Sequence, residues 1–215
     1  MMKSEIKLMI YASGKNDTEV IIDSLGIKMH NGGEYRRMKY KEKREWQKIH
    51  IVIERKTHKI LNIIVTGNEV GDIREFLPLL KPIEKRNRIR KVIADGAYDS
   101  ENNFRHCDEH DIKPLIPVHI SATGHHGRHR RKRIIEQLNV DRTRGKNFHK
   151  IPSKEKRIKS LKIWKNKSGY HQRSLVENSF SVFKGVFGEY TFSKRKDIKE
   201  KELLLKAVVY NKFIA

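Results

Sequence analysis

Two segments of this chain share one design, and they restrict the fold more than any other feature. Val20-Ile21-Ile22-Asp23 and Val92-Ile93-Ala94-Asp95 are each a short apolar run that stops at an aspartate. Short runs rich in β-branched residues read as buried strands. Each would deliver an Asp where its apolar run ends.

The stretches between and after them alternate in type. Ile49 to Glu54 and Ile60 to Thr66 read as a hairpin, with Arg55-Lys56-Thr57-His58-Lys59 as its longer loop. Asp72 with Glu75 forms a capping-box pattern for a helix through Leu80, which Pro78 and Pro82 should shorten or kink. Residues 100–110 read as a polar helix with Ser100 as its cap. Ile112 to Val118 reads as a strand, and Pro114 and Pro117 push it to the sheet edge. Helices follow over about 171–187, ended by Gly185 and Gly188, and about 198–213. The apolar side of the last is expected to hold Leu203, Leu204, Ala207, Val208 and Phe213. The order predicts one mixed α/β domain, a central sheet covered by helices.

The helix near residue 177 carries a second signal. At 100° per residue, Tyr170, Arg173, Glu177 and Lys184 fall on one stripe about 60° wide. The carboxylate can hold a divalent cation, and its three neighbours can hold phosphates. Leu175, Val176, Phe180, Val182 and Phe183 supply the core-facing side. The plainer account is a surface helix with an i,i+4 Arg173–Glu177 pair.

Charge narrows the partner. The 215 residues carry a net charge of +22, with a pI near 10.1. On a domain of this size that points to a polyanion, most simply nucleic acid. Residues 119–168 alone hold 16 Lys or Arg against three acids, +13 in 50 residues. One cysteine, Cys107, excludes a disulfide framework and a Cys-rich zinc site. No apolar run approaches the roughly 18 residues of a membrane span. Lys3, Glu5 and Lys7 interrupt the one stretch that resembles a signal peptide, so a cytoplasmic, nucleoid-associated protein is expected.

If the two Asp-terminated strands are neighbours, Asp23 and Asp95 lie side by side. Two such carboxylates repel unless a cation sits between them, and a pair of divalent metals relieves that repulsion. Glu177, from a helix across the sheet, is the third candidate ligand. Hard oxygen donors favour Mg²⁺, with Mn²⁺ as substitute. For any one of these residues the ordinary account is a turn or cap aspartate. Asp99 stands as the alternative to Asp95, Asp72 is better read as a cap, and Tyr98 as packing.

The joint pattern resembles a known family. Tyr170-x2-Arg173-x3-Glu177-x6-Lys184 looks like the signature around the third acid of prokaryotic insertion-sequence transposases of the Asp-Asp-Glu (DDE) type. Ala94-Asp95-Gly96-Ala97-Tyr98-Asp99 resembles their second-acid motif, and Ile22-Asp23-Ser24 with Gly26-Ile27-Lys28 their first. Lys43 to His50 is similar to the segment leading into their second strand. The resemblance runs from about residue 19 to the C-terminus, after a short lead over 1–18, with a basic insertion at about 119–168. It implies a ribonuclease-H-like mixed sheet flanked by helices, with Asp23 on the first strand, Asp95 on the fourth and Glu177 on a later helix. It also implies Mg²⁺-dependent cleavage at transposon ends and strand transfer to target DNA. Asp23, Asp95 and Glu177 would be catalytic metal ligands, and Tyr170, Arg173 and Lys184 would contact DNA phosphates. The basic stretch would grip the DNA backbone, and a homodimer on DNA fits the same reading. The family carries a helical DNA-binding region ahead of the first acid, whereas 22 residues precede Asp23 here. An N-terminally truncated copy is therefore one expectation, and a catalytically inactive DNA-binding remnant is the alternative. A ribonuclease-H-like nuclease of another kind is the third reading, against which the Tyr-Arg-Glu-Lys stripe argues.

His119, His125, His126, His129 and His149 cluster in the basic stretch. They lack regular ligand spacing and a Cys partner, so they read as phosphate-facing polar residues rather than a zinc site. His171 reads as solvated. Trp46 and Trp164 read as core residues, although either can stack on a base.

Overall fold

A computed structural model describes residues 17–28, 39, 46–122, 127–140, 152–193 and 195–214. His125, His126 and His149 lie outside these residues. The described strands are β1 (Asp17–Lys28), β2 (Trp46–Glu54), β3 (Ile60–Gly67), β4 (Arg88–Ala94) and β5 (Lys113–Leu115). The helices, in chain order, are α1 (Asp72–Glu84), α2 (Glu101–Glu109), α3 (Arg128–Leu138), α4 (Lys154–Ser168), α5 (Ser174–Phe187) and α6 (Lys196–Phe213). Two short 3₁₀ turns, Gly96–Tyr98 and Tyr170–Arg173, precede α2 and α5.

The sheet order is β3-β2-β1-β4-β5. The β1–β2 and β2–β3 pairs are antiparallel, while β4 and β5 run parallel to β1. This is the mixed sheet that the element order predicts, in the ribonuclease-H-like arrangement that the family resemblance implies. The β-branched runs are buried on both faces because helices cover both. On one face Val20, Ile22, Val52, Val92 and Ala94 pack with side chains of α1, α2 and α3. On the other Ile21, Ile51, Ile53 and Ile93 pack with Val176, Phe180 and Phe183 of α5 and Leu203, Ala207 and Tyr210 of α6.

Several boundaries differ from the expected ones, each for a physical reason. β1 does not stop at Asp23. It pairs with β2 as far as Lys28↔Trp46, whereas its pairing with β4 ends at Ile22↔Ala94. β1 therefore lacks β4 on one flank from Asp23 onward, and Lys28 at its end meets the chain again at Tyr190. Helix α1 runs to Glu84 despite its two prolines. Pro78 is exposed and Pro82 is only half-buried, so the carbonyls they leave unbonded face solvent. Phe76, Leu79, Leu80 and Ile83 on the other side are fully buried, each worth about 1.5–3 kcal/mol. Asp72 is not a cap. The N-cap is Gly71, and the Asp72 carboxylate instead meets Lys48 Nζ at 2.7 Å and His50 Nδ1 at 3.4 Å. Burial holds the pKa of His50 below the ordinary value, against the pull of Asp72. The Ser100 cap is present, accepting from the Asn103 N–H at 3.1 Å.

Side-chain phases also shift. Val182 and Phe213 are exposed, not core-facing, and Trp46 is exposed at the start of β2 beneath the Lys28 ammonium. Trp164 and Tyr98 are buried as expected.

One ion cluster ties the connector after α5 to α6. The Glu202 carboxylate accepts from the Phe192 and Ser193 N–H groups, the Ser193 hydroxyl and Lys206 Nζ. Burial raises its pKa, but these donors outweigh it and bring the carboxyl from 4.5 down to about 2. A depressed folded pKa contributes stability above the unfolded value that is lost as pH falls. Glu202→Gln is therefore expected to cost about 1–2 kcal/mol at pH 7. That difference from the native chain should shrink between pH 5 and pH 2, read by urea unfolding across pH.

Candidate active site

The site forms where β4 ends beside a longer β1. Ile22↔Ala94 is the last parallel pair, so Asp23, still in β1, and Asp95, just past β4, come next. Asp23 keeps the phase of Ile21 and points to the α5 face. Asp95 has extended backbone, φ −69° and ψ 163°, and so keeps the phase of Ile93. Its Oδ1 accepts from the Gly96 N–H and starts the 3₁₀ turn. A Cβ at Gly96 would stand a tight 3.2 Å from the Pro117 carbonyl oxygen, so glycine lets the turn pass close to that backbone.

Gly169, at φ +78°, ends α4 and redirects the chain into the turn Tyr170–Arg173. The stripe is thus not one continuous α-helix, as the sequence reading had it. Residues three apart eclipse in a 3₁₀ turn, so Tyr170 and Arg173 still align. Arg173 then caps α5, with Glu177 in its first turn.

Arg173 bridges two of the acids. One guanidinium nitrogen donates to Asp23 Oδ2 at 2.8 Å, the other to Glu177 Oε1 at 2.8 Å. Burial works against its charge, but Asp23, Tyr170, Asp95 and Glu177 outweigh burial and hold its pKa above the usual value. Burial raises the Asp23 pKa, helped by the charges of Asp95 and Glu177 and opposed by the Ser24 N–H and Arg173. Three carboxylates thus act on one another against one bridging guanidinium. Tyr170 is buried, its ring 6.0 Å from that of Trp164, and burial together with the acids raises the pKa of its phenol.

Lys184 is not brought to the acids. It lies two turns beyond Glu177, about 10 Å along the axis, with its ammonium 3.2 Å from Glu189. Asp99 is committed elsewhere. Arg130 holds it through two hydrogen bonds of 2.6 Å, and its Oδ2 also accepts from the His119 N–H. Asp99 is thus tied to α3 rather than to Asp23 and Glu177.

A family model described as the transposase DDE domain matches residues 14–212. The chain belongs to that family. Among solved structures, the piggyBac transposase synaptic complex with hairpin DNA, determined by cryo-electron microscopy, superposes with a TM-score of 0.51. Identity is 12%, over 92% of this chain and 46% of that one, so the likeness is one of fold. The chain spans a little under half of that relative. No helix among the described residues is long and apolar enough to cross a membrane.

The basic stretch contributes both anchors and open charge. Arg130 and Arg133 are engaged with Asp99 and Asp108, and the Glu101 carboxylate accepts from the first N–H groups of α3. His129 is part-buried and bonded to Asp108, whereas His119, bonded to Ser121, is exposed. Arg128 and Lys132 of this stretch line an open cavity of about 840 Å³ along the β5 edge, together with Lys113 and with Arg88 and Arg90, which are paired with Asp111 and Asp17. On α4, Lys154, Lys156, Lys159, Lys162 and Lys167 are exposed.

Proposed function

We propose that this DDE-family chain is the catalytic unit of a DNA transposase, residues 19–215, with the basic segment at about 119–168 inserted between β5 and α5. Asp23, Asp95 and Glu177 would be its metal ligands. The observation that carries the reading is the Asp23–Arg173–Glu177 bridge beside the Ile22↔Ala94 register. Two strands and a helix, distant in sequence, converge three carboxylates at the carboxyl end of a parallel strand, where α/β sheets place their sites.

The donor set fits Mg²⁺ or Mn²⁺. It is all carboxylate oxygen, and one guanidinium against three carboxylates leaves a negative surplus that a divalent cation offsets. When bound, such cations activate the attacking oxygen and relieve charge on the leaving one. The protein's own part is positional. Asp23 sits on the sheet and Asp95 directly follows β4, and α5 brings Glu177 across. Arg173 holds the Asp23 and Glu177 carboxylates together and lies within reach of a DNA phosphate at the same opening. The buried ring of Tyr170 fixes the turn that aims Arg173. The exposed lysines of α4 and the basic cavity beside β5 would hold the DNA backbone, with salt-sensitive, sequence-independent affinity.

The test is nicking of supercoiled DNA by purified protein in Mg²⁺, Mn²⁺ or EDTA, beside Glu177→Gln. Metal-dependent nicking that disappears in the variant supports the reading. Tight binding without nicking by either protein would favour the non-catalytic, DNA-binding alternative.

A further inference from the structure

At the opposite pole of the sheet from Asp23 and Asp95, three metal-ligating side chains converge. Glu84 is the last residue of α1, His106 lies in the last turn of α2, and His110 follows as its C-cap. β4 starts beside them at Arg88 and ends at Ala94, so about 20 Å of strand separates this pole from the acids. Glu84 Oε1 meets His106 Nε2 at 2.7 Å. The His106 and His110 rings stack with centroids 4.1 Å apart and 28° between planes. One ligand atom from each of the three lies within 4.8 Å of the others, the one such group among the described residues.

We propose that Glu84, His106 and His110 form a second metal site, for Zn²⁺ or a similar imidazole-seeking divalent ion, independent of the carboxylate site. Two imidazoles and one carboxylate suit zinc-class ions rather than Mg²⁺. A simple His106–Glu84 ion pair leaves the second imidazole unexplained. His110 Nδ1 lies 2.9 Å from the His106 carbonyl oxygen and can only donate to it. That contact fixes the ring and turns Nε2 outward as the ligand atom, the usual outer-shell arrangement of a metal-binding histidine. Both helices present their carboxyl ends here, where the helix dipole favours a cation. His106 is nearly buried, whereas His110 is exposed and, with Glu84, borders an open cavity of about 460 Å³. Three protein ligands with water in a fourth position therefore fit the space. Tetrahedral bonds of about 2.1 Å place ligand atoms about 3.4 Å apart. The ion would replace the proton between His106 and Glu84, these two would part by less than 1 Å, and His110 would close in. Lys85, Arg86 and Arg88 line the same cavity and weaken cation binding, so affinity should rise with added salt.

The site would clip the end of α1 to the end of α2. The test titrates the full chain with Co²⁺, reading the visible ligand-field band of a tetrahedral complex, then displaces it with Zn²⁺ and follows the thermal midpoint. One tetrahedrally bound ion per chain, counted by that band, and a raised midpoint are expected. His110→Gln, at an exposed position, should leave the metal-free midpoint unchanged and weaken binding about tenfold or more, as should Glu84→Gln. Absence of the cobalt band overturns the site, as does undiminished affinity in His110→Gln. Binding that is lost instead in a His125→Asn/His126→Asn variant would assign the ion to the basic stretch and equally overturn it.

Discussion

Asp23→Asn is expected to lower metal-dependent DNA nicking by about three powers of ten while leaving the protein folded. The two halves of that expectation have separate causes. Asn keeps the shape of the side chain and the oxygen that accepts from the Ser24 N–H at 2.9 Å. Asp23 is a charged group placed among buried isoleucines, and burial already raises its pKa. Removing the charge therefore relieves a desolvation cost, and the thermal midpoint should hold or rise. The same change removes one of the three carboxylates available to a divalent cation. A loss of about 4 kcal/mol at the barrier corresponds to the expected thousandfold. The measurement pairs initial nicking rates in Mg²⁺ with thermal unfolding of the same preparations. A variant that nicks within tenfold of the native chain would remove Asp23 from the site. Lost nicking with lost stability would point to a structural role instead.

The residues differ in how far the sequence disclosed them. Asp23 and Asp95 were legible because both end apolar runs, and the parallel register of β1 with β4 makes them neighbours. The stripe was legible for Tyr170, Arg173 and Glu177 although the backbone there is partly 3₁₀, since i,i+3 pairs align in either helix. Lys184 shares the angle but not the height, and angle alone carries no distance along an axis. Asp72 shows how tertiary contact overrides a local signal. The capping-box pattern was present, but Lys48 and His50 on β2 draw its carboxylate away. Spacing leaves both Asp95 and Asp99 open, and the contact that ties Asp99 to Arg130 spans 31 residues, so no local pattern marks it. The Glu84–His106–His110 group left a trace, two histidines four apart at a helix end, but its third member comes from another helix.

The largest stability effect outside the apolar core is expected at two buried amides that no local pattern marks. The outer strands of the sheet are β3 and β5, and edge strands leave backbone groups without partners. Asn211, in α6, accepts from the Ile60 N–H at 2.7 Å and donates to the Ile60 carbonyl at 2.7 Å. Gln137, in α3, accepts from the Val118 N–H at 2.9 Å and donates to the Ile116 carbonyl at 2.8 Å, just past β5. Each amide supplies the donor and acceptor that a further strand would have offered. Gln137 is fully buried and Asn211 nearly so, so water cannot take their place. Gln137→Leu keeps the volume and strands both backbone groups. At about 1–3 kcal/mol for each of the two buried groups left unpaired, the expected loss is about 2–6 kcal/mol. That is a large share of the roughly 5–15 kcal/mol that holds a domain of this kind folded. Urea unfolding should show a lower midpoint with an unchanged slope. Asn211→Leu should behave alike from the other edge. Because the two amides share no partner, the double variant should lose the sum of the single losses to within about 0.5 kcal/mol. A loss below about 1 kcal/mol for Gln137→Leu would mean that the β5 edge rests on its apolar contacts alone.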